Sequence, residues 1–242
     1  KAIMATHVYG YPCDVERIQQ IADRHSLRVI YDGSHAFGVR LNGQSLHNHG
    51  DCSTLSFHAT KLFHTAEGGA VVCKDEAVAK RIFLMSKFGH LGEDEYLDIG
   101  INAKMSELHA AMGLAVLPSV QKIIAARRER SMWYDELLDG LKLQRPKTIT
   151  GLEYNYAYYP VIFPTHKQMM MVRAALHAQN IFPRRYFYPS LNTLPFLPEF
   201  LRRPCPVSES VAQRVLALPL YPTLTRDNAE QIGKLIVAAI DK

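Results

Sequence analysis

Two side chains of opposite charge follow β-prone runs in the first third of the chain. Asp32 ends the run RVIYD, and Lys61 follows LSFHAT with no charged residue beside it. A loop lysine commonly extends its ammonium group into water. Lys61 could instead lie in a partly desolvated pocket, where its pKa falls far enough for the amine to act as a nucleophile. Asp32 and Lys61 could also form a buried ion pair with a purely structural role.

Other catalytic or metal chemistries have less support in the sequence. No HExxH motif and no CxxC pair accompanies the local histidine cluster, so we predict no metal site. That cluster comprises His47, His49, His58 and His64. The sequence also lacks a GxSxG motif, and its four cysteines stand apart without a motif around any of them. The Asp32–Lys61 pair is therefore the candidate for chemistry.

The predicted elements place Asp32 and Lys61 at the ends of two strands. Strands are predicted over residues 2–8, 28–31, 53–58 and 69–73. Helices are predicted from an N-cap at Asp14 to about residue 25, and over residues 76–87. This alternation is typical of an α/β layer, in which ligands bind at the carboxyl ends of the strands.

The second half of the chain has a different character. A long helical pattern runs from residue 105 to about 138, with a break at Pro118. A strand is then predicted over 154–163, and helices over 166–179, 208–216 and 226–240.

Composition and charge set limits on the class of protein. The chain has 242 residues, of which 48% are hydrophobic and 21% charged, which is ordinary for one or two soluble domains. The net charge of +5 suits anionic small molecules. We expect no nucleic-acid partner and no membrane partner, because the densest basic run lies on a helix face and we find no apolar run long enough to cross a bilayer. Widely spaced cysteines fit a cytoplasmic protein.

One cofactor requires this combination of a lysine and a carboxylate. Enzymes that use pyridoxal 5'-phosphate (PLP) need a lysine that binds the cofactor aldehyde and a carboxylate that keeps the pyridine nitrogen protonated. The segments YDGSHAFG, LSFHATKLFHTAEGGAVV and GINAKMSELHAAMG resemble the DegT/DnrJ/EryC1/StrS family of sugar aminotransferases. THVYGYPCDVE, YAYYPVIF and ALPLYPTLT resemble the same family, so the match covers essentially the whole chain.

The resemblance implies a fold class and a domain organisation. It implies an α/β protein, namely the C-terminal portion of the large domain of the PLP-dependent transferase fold type I, with a mostly parallel mixed sheet, plus a small α+β C-terminal domain. Residues 1–115 would be part of the PLP-binding large domain, residues 116–139 a long connecting helix, and residues 140–242 the small domain.

The resemblance also implies roles for individual residues. Lys61 would form the Schiff base with the cofactor and move the proton, and Asp32 would pair with the pyridinium nitrogen. His35, where the family commonly has Gln, would lie beside the phenolic oxygen of the cofactor. Ser56 would contact the cofactor phosphate. Asn102 would reach the phosphate bound by the partner subunit, which makes the expected active site a property of a homodimer.

The substrate implied is a nucleotide-linked keto-deoxysugar, with glutamate as the amino donor. Tyr186 and Tyr188 lie in the segment that faces the sugar in the family, although the sequence YFYPSL lacks the histidines often found there. Tyr31 replaces a frequent Glu, and Lys104 stands where Arg is usual.

The start of the chain leads to a further expectation. In the family, a cofactor-phosphate loop and an aromatic residue that stacks on the pyridine ring normally precede the strand with which this chain begins. We therefore expect the chain to lack an N-terminal part and, alone, to bind PLP poorly and to show no measurable aminotransferase activity. The alternative function is a non-catalytic remnant, acting as a dimerisation or sugar-nucleotide-binding fragment.

Overall fold

The structure, a computed structural model, describes residues 1–240 and divides into two compact units. The first unit comprises Lys1–Ile123 and Thr148–Ala157, and the second comprises Ile124–Lys147 and the chain from Tyr158 onward. The chain passes from the first unit to the second within a helix and later returns to the first unit for ten residues. The boundaries predicted at residues 115 and 139 remain predictions for the domain organisation.

Strands and helices occur in both units. The strands are β1 Ala2–Thr6, β2 Arg28–Asp32, β3 Arg40–Leu41, β4 Gln44–Ser45, β5 Cys52–Ser56, β6 Gly69–Cys73, β7 Leu152–Glu153, β8 Tyr159–Ile162 and β9 Val215–Leu218. The helices are α1 Val15–Arg24, α2 Glu76–Met85, α3 Glu107–Val116, α4 Val120–Leu137, α5 His166–His177, α6 Pro206–Arg214 and α7 Arg226–Ile240. The predicted elements are thus present, with shifted ends.

The first unit is built on a mixed four-stranded sheet with the order β1-β2-β5-β6. Strands β1, β2 and β5 are parallel to one another, whereas β6 is antiparallel to β5. Helix α1 connects β1 to β2, and its predicted N-cap, Asp14, accepts a hydrogen bond from the backbone N–H of Arg17 at 3.1 Å. The carboxyl ends of three strands therefore meet at one edge of the sheet.

A compact apolar core lies against β2. Val29 and Tyr31 are buried in it together with Ala22 of α1 and Leu46. This packing fixes one face of β2, and the alternation of side chains along a strand leaves its last residue, Asp32, on the other face.

A small three-stranded sheet, ordered β4-β3-β7, also belongs to the first unit. Strand β7 lies far along the chain and pairs with β3 through the Arg40–Glu153 and Leu41–Leu152 register. The residues around β7 consequently pack with the first unit, although they follow the predicted connecting helix.

The second unit combines the antiparallel pair β8–β9 with four helices around its own apolar core. The predicted helix over 208–216 was wrong at its end, because Val215 and Leu216 belong to β9, whose four residues are all buried. An apolar run of this length fits either a buried strand or a buried helix turn, so its periodicity does not distinguish them. The strand predicted over 154–163 covers only Tyr159–Ile162.

Helices α3 and α4, joined by the short turn Leu117–Ser119, form a helical stretch from Glu107 to Leu137. By length and composition this stretch could cross a membrane, so the expectation that no apolar run was long enough was wrong. Core helices of soluble proteins share this length and composition. Tyr134 of α4 is fully buried in the core of the second unit, and Leu137 packs against that core.

Candidate active site

Asp32 lies where the carboxyl ends of the parallel strands meet. In the register it is paired with Thr6 on one side and Thr54 on the other. Its carbonyl oxygen accepts a hydrogen bond from the His7 N–H at 3.0 Å, and its carboxylate accepts one from the Ser34 N–H at 3.0 Å. The backbone at the end of β2 is therefore fixed from both sides, and the carboxylate is held at the strand edge.

The surroundings of Asp32 favour its ionised form. Burial raises the pKa of Asp32, but the hydrogen bonds from Ser34 and the charges of His35 and Lys61 outweigh it, so the pKa lies below its ordinary value. Asp32 is thus a half-buried carboxylate that keeps its negative charge at neutral pH.

Lys61 is held in the loop between the antiparallel strands β5 and β6. Its N–H donates to the His58 carbonyl at 2.9 Å, and the His58 Nδ1 lies 2.9 Å from the Thr60 hydroxyl. The two residues that follow Lys61 are buried, and Phe63 stacks on Phe37 with ring centroids 4.4 Å apart. The backbone at Lys61 is therefore anchored on both sides of the lysine.

The amine of Lys61 is easier to deprotonate than that of a surface lysine. Burial lowers the pKa of Lys61, and the carboxylate of Asp32 offsets only part of this effect. Among the residues that the structure describes, no contact within 4.0 Å joins Lys61 to Asp32 as an ion pair. The charges of Lys61 and Asp32 thus shift each other's pKa although the two groups form no salt bridge.

His35 is the third group of this cluster. Its Nδ1 accepts a hydrogen bond from the Tyr9 N–H at 3.1 Å, which leaves the ring proton of the neutral form on Nε2. Burial and the charge of Lys61 lower the pKa of His35 to about 4, against the opposing effect of Asp32. His35 is therefore a neutral hydrogen-bond donor through Nε2 at physiological pH.

Ser56 ends β5 at the same edge of the sheet, since β5 runs parallel to β2. The His58 N–H lies 3.4 Å from the Ser56 hydroxyl oxygen, a long hydrogen bond that leaves the hydroxyl proton for another acceptor. The structure thus brings four predicted residues to one strand edge. They are Asp32, His35, Ser56 and Lys61.

Asn102 is placed elsewhere in the first unit. It is exposed, and its backbone pairs with Lys87 in an isolated bridge. Within residues 1–240 no contact joins Asn102 to Asp32 or Lys61. Its predicted role toward a partner subunit remains a prediction.

Tyr186 and Tyr188 belong to the second unit. The Tyr186 ring stacks on Phe187 at 4.9 Å, and the Arg185 guanidinium lies 3.4 Å from the centroid of the half-exposed Tyr188 ring. Together these side chains form an aromatic and cationic surface, and its predicted role in sugar binding also remains a prediction.

Two residues that help to build the site were not predicted. Asn155 is fully buried, and its Nδ2 donates to the carbonyl oxygens of His35 and Phe37, both at 2.9 Å. Tyr9 supplies the N–H that sets the tautomer of His35. Asn155 could have been found from the sequence, because it is a polar residue inside the aromatic run YNYAYY and a buried amide needs hydrogen-bond partners. The role of Tyr9 could not be found in this way, because it depends on a backbone N–H that every residue except proline has.

Two members of the histidine cluster, His47 and His58, contact other side chains of the first unit. His47 Nδ1 lies 2.9 Å from the Ser53 hydroxyl, and His58 faces Glu67 at 3.6 Å. Over the described part of the chain, no group of three or more His, Cys, Asp or Glu residues could hold a metal ion.

Comparison with known proteins identifies the family. The model of the DegT/DnrJ/EryC1/StrS aminotransferase family matches residues 1–237. The dTDP-4-amino-4,6-dideoxy-D-glucose transaminase of Shigella dysenteriae is 38% identical over 98% of this chain, and GDP-perosamine synthase of Vibrio cholerae is 32% identical over 98%. The chain spans 65% of the length of each of these relatives.

Solved structures agree with the fold prediction. A crystal structure of DesI, determined in the presence of its TDP-sugar product, is 31% identical with a TM-score of 0.89, and the match covers 99% of this chain and 63% of DesI. PseC of Helicobacter pylori, an aminotransferase of pseudaminic acid biosynthesis, has a TM-score of 0.92 over 100% of this chain and 67% of its own; at 24% identity it supports the fold alone.

The predicted family, fold class and family cofactor are confirmed, since aminotransferases of this family depend on PLP. The relatives named above differ in nucleotide and sugar, so their names leave the substrate of this chain open. On the evidence of its sequence and its fold, this chain belongs to the DegT/DnrJ/EryC1/StrS aminotransferase family.

Proposed function

We propose that this chain carries the catalytic lysine and its carboxylate partner in a PLP-dependent aminotransferase that transfers an amino group from glutamate to a nucleotide-linked keto-deoxysugar. The observation that carries the proposal is the pairing of Lys61, whose pKa is lowered, with the ionised Asp32 at one strand edge without a salt bridge. A structural ion pair would bring the two charges into contact.

The groups at the strand edge fit PLP. The cofactor has an aldehyde that reacts with an unprotonated amine, a pyridine nitrogen that binds a proton beside a carboxylate, and a phosphate that accepts hydrogen bonds. Lys61, Asp32 and the hydroxyl of Ser56 supply these three partners, and the neutral His35 offers a donor for the phenolic oxygen. When bound, PLP supplies an electron sink that stabilises negative charge on the carbon that loses its proton.

Lys61 and Asp32 would have different roles in proton transfer. Lys61 Nζ, which loses its own proton more readily than a surface lysine, would accept a proton from the α-carbon of the amino donor and later return it. Asp32 would hold a proton on the pyridine nitrogen, because its carboxylate stays ionised. The anchored loop around Lys61 would keep Nζ in position, which limits the entropy lost in each transfer.

The substrate class follows from the relatives and extends to this chain as part of the proposal. The first relative acts on a dTDP-linked 4-amino-4,6-dideoxyhexose, so a dTDP-4-keto-6-deoxyhexose is the first substrate to assay. A shared active site in a homodimer and a place in the cytoplasm accord with this chemistry. Such sugars enter surface polysaccharides and antibiotics.

The direct test locates the cofactor on the chain. The purified protein is saturated with PLP, reduced with borohydride and digested, and the peptides are mapped by mass spectrometry. The proposal requires the cofactor to be fixed to Lys61, with visible absorbance that is lost on reduction. Labelling spread over several surface lysines would overturn the assignment.

A second measurement separates binding from catalysis. The chain, extended to the full length of the relatives, is incubated with PLP, glutamate and the dTDP-keto sugar, and formation of the amino sugar is followed by mass spectrometry. Product formation that depends on Lys61 supports the enzyme. Binding of the sugar nucleotide with no cofactor on Lys61 and no product would favour the alternative of a non-catalytic sugar-nucleotide-binding fragment.

A further inference from the structure

Two cysteines face each other across strands β5 and β6, at the end of this strand pair that is remote from Lys61. Cys52 and Cys73 are direct partners in the register, and their Sγ atoms are 3.7 Å apart. Both are free thiols and both are half-buried. The proposed amino-transfer chemistry uses neither of them.

The backbone geometry at this pair suits a covalent link. The Lys74 N–H donates to the Asp51 carbonyl at 2.9 Å, immediately outside the two cysteines. In an antiparallel ladder, this bond marks the enclosed residues as a pair that exchanges no hydrogen bonds of its own, with Cα atoms about 4.5 Å apart and side chains close together. Disulfides join Cα atoms about 4.4–6.8 Å apart, so the bond can form without separating the strands.

Solvent reaches the pair from one side of the sheet. A cavity of about 200 Å³ is lined by both cysteines and by Asp51 and Lys74, among other residues. A water molecule occupies about 30 Å³ of the liquid, so a small oxidant such as hydrogen peroxide can enter this cavity.

We propose that Cys52 and Cys73 are a redox-sensitive thiol pair that peroxide-class oxidants convert into a reversible disulfide. The inference rests on the register and the cavity and is independent of the proposed amino-transfer function. It assigns a modification site to the β5–β6 strand pair.

The structure also indicates the order of reaction. The Cys52 thiol donates toward the Cys73 sulfur, and burial together with this neighbouring thiol raises the pKa of Cys52 to about 11. Cys52 therefore favours its protonated form, and the proposal assigns the attack on the peroxide to the sulfur of Cys73. That attack breaks the O–O bond, releases one water after protonation and leaves a sulfenic acid on Cys73.

The second step closes the bond. The sulfur of Cys52 attacks the sulfur of Cys73, loses its proton and displaces hydroxide, which leaves as a second water. In total the two thiols lose two protons and two electrons, and one hydrogen peroxide takes up both to become two waters. A dithiol reductant reverses the change.

The disulfide would close a loop that contains Ser56 and Lys61. Cross-linking a loop of this length restricts the unfolded chain, so the oxidised protein should melt higher than the reduced protein, by several degrees. The bond lies at the opposite end of the strand pair from the Lys61 loop, so we expect cofactor labelling of Lys61 to persist after oxidation.

The experiment exploits the tryptic sites of the chain. Cleavage after Arg40, Lys61 and Lys74 places Cys52 and Cys73 in separate peptides, 41–61 and 62–74. The protein is treated with hydrogen peroxide near neutral pH, unreacted thiols are alkylated, and the digest is analysed without reduction. We expect the two peptides joined with the loss of two hydrogens, and separated again after treatment with dithiothreitol.

Matched variants test the order of reaction and the identity of the pair. Cys52→Ser should leave a sulfenic acid on Cys73 that dimedone traps, whereas Cys73→Ser should leave Cys52 largely unreacted. Cys13→Ser/Cys205→Ser should still form the disulfide. Alkylated Cys52 and Cys73 after oxidation of the unchanged protein, or a disulfide that involves Cys13 or Cys205 instead, would overturn the proposal.

Discussion

The two units each contain a carboxylate and a cation, and the contrast between these pairs is instructive. In the second unit, the Arg145 guanidinium donates directly to Asp135, and the Tyr159 hydroxyl donates to the same carboxylate at 2.7 Å. In the first unit, Asp32 and Lys61 influence each other's pKa but form no salt bridge.

The difference lies in what each group does with its hydrogen-bonding capacity. The charged groups of Asp135 and Arg145 form hydrogen bonds with each other and with the Tyr159 hydroxyl. Burial and the Asp135 carboxylate raise the pKa of Tyr159. Asp32 and Lys61 keep the capacity to act on a third molecule. A satisfied pair is expected to stabilise the fold, whereas a separated pair with shifted pKa values is what the proposed function requires of Asp32 and Lys61.

The largest effect should come from Lys61. In a subunit as long as the relatives, Lys61→Ala removes the nucleophile, so amino transfer should fall by about 10³-fold or more, while the melting temperature changes little because the side chain is only half-buried. The measurements are product formation and borohydride labelling. Lys80→Ala, on the exposed face of α2, is the matched control and should change neither. Transfer at the parental rate in Lys61→Ala would contradict the proposed role.

Asp32→Asn should have the next largest effect. The amide oxygen can still accept the hydrogen bond from the Ser34 N–H, so the fold should persist while turnover falls by about 10²–10⁴-fold. Loss of the carboxylate also removes the charge that raises the pKa of Lys61, so labelling of Lys61 should extend to lower pH. Asp32→Glu should retain part of the activity. Lower thermal stability with normal turnover would restore the structural ion-pair interpretation.

Acid should weaken the first unit before the second. Burial, with the charges of His47 and His49, lowers the pKa of the fully buried His7 to about 4, against the opposing effect of Asp32. The folded state then binds this proton less readily than the unfolded state, whose pKa is about 6.5. The contribution of neutral His7 to the free energy of unfolding is therefore complete above pH 6.5. It is lost as the pH falls toward 4, by at most about 1.4 kcal/mol per pH unit.

Unfolding of the protein measured from pH 7 to 4.5 tests this expectation. Hydrogen exchange should show early loss of protection in β1 and β2, with α5 and α7 protected to lower pH. His7→Gln should lower the stability at pH 7 and flatten its pH dependence. Equal acid sensitivity of the two units would show that the buried histidine does not govern the first unit.

The smallest effect should come from the satisfied pair. Tyr159→Phe deletes the hydroxyl that bonds Asp135 and Arg145, and these two side chains are exposed enough to gain water in exchange. We expect a loss of about 0.5–1.5 kcal/mol in the free energy of unfolding and normal cofactor labelling of Lys61. Denaturant titration measures the first and peptide mapping the second. A labelling defect would remove the distinction between the two pairs.

Much of the fold could be predicted from local sequence because the relevant signals are local. The Asp14 N-cap, the strand Gly69–Cys73 and the helix Arg226–Ile240 appear as predicted. The errors fall where the signal depends on tertiary contacts. Val215 and Leu216 form a strand because they pair with β8 in a buried core, and nothing in their own periodicity distinguishes that from a helix.

In the candidate site, too, the features with local sequence signals could be predicted and those that depend on tertiary contacts could not. Asp32 ends β2 and Lys61 lies in the loop that follows β5, so their approach at one edge of the sheet could be predicted from the parallel order of these strands. Asn155 lies 120 residues from His35 along the chain. Its hydrogen bonds to the carbonyl oxygens of His35 and Phe37 form because residues 148–157 return to the first unit, which no local sequence pattern indicates. The support that Asn155 gives to the backbone at His35 and Phe37 was thus beyond prediction from local sequence.

That return has a consequence for limited proteolysis. Strand β7 and Asn155 bind the first unit, yet the chain reaches them only after passing through the second. A protease that cuts once within residues 138–147 would therefore not release the first unit, because the downstream piece would stay attached through β3–β7 pairing and the Asn155 amide. The nicked chain should migrate as one species on a sizing column and as two bands in detergent.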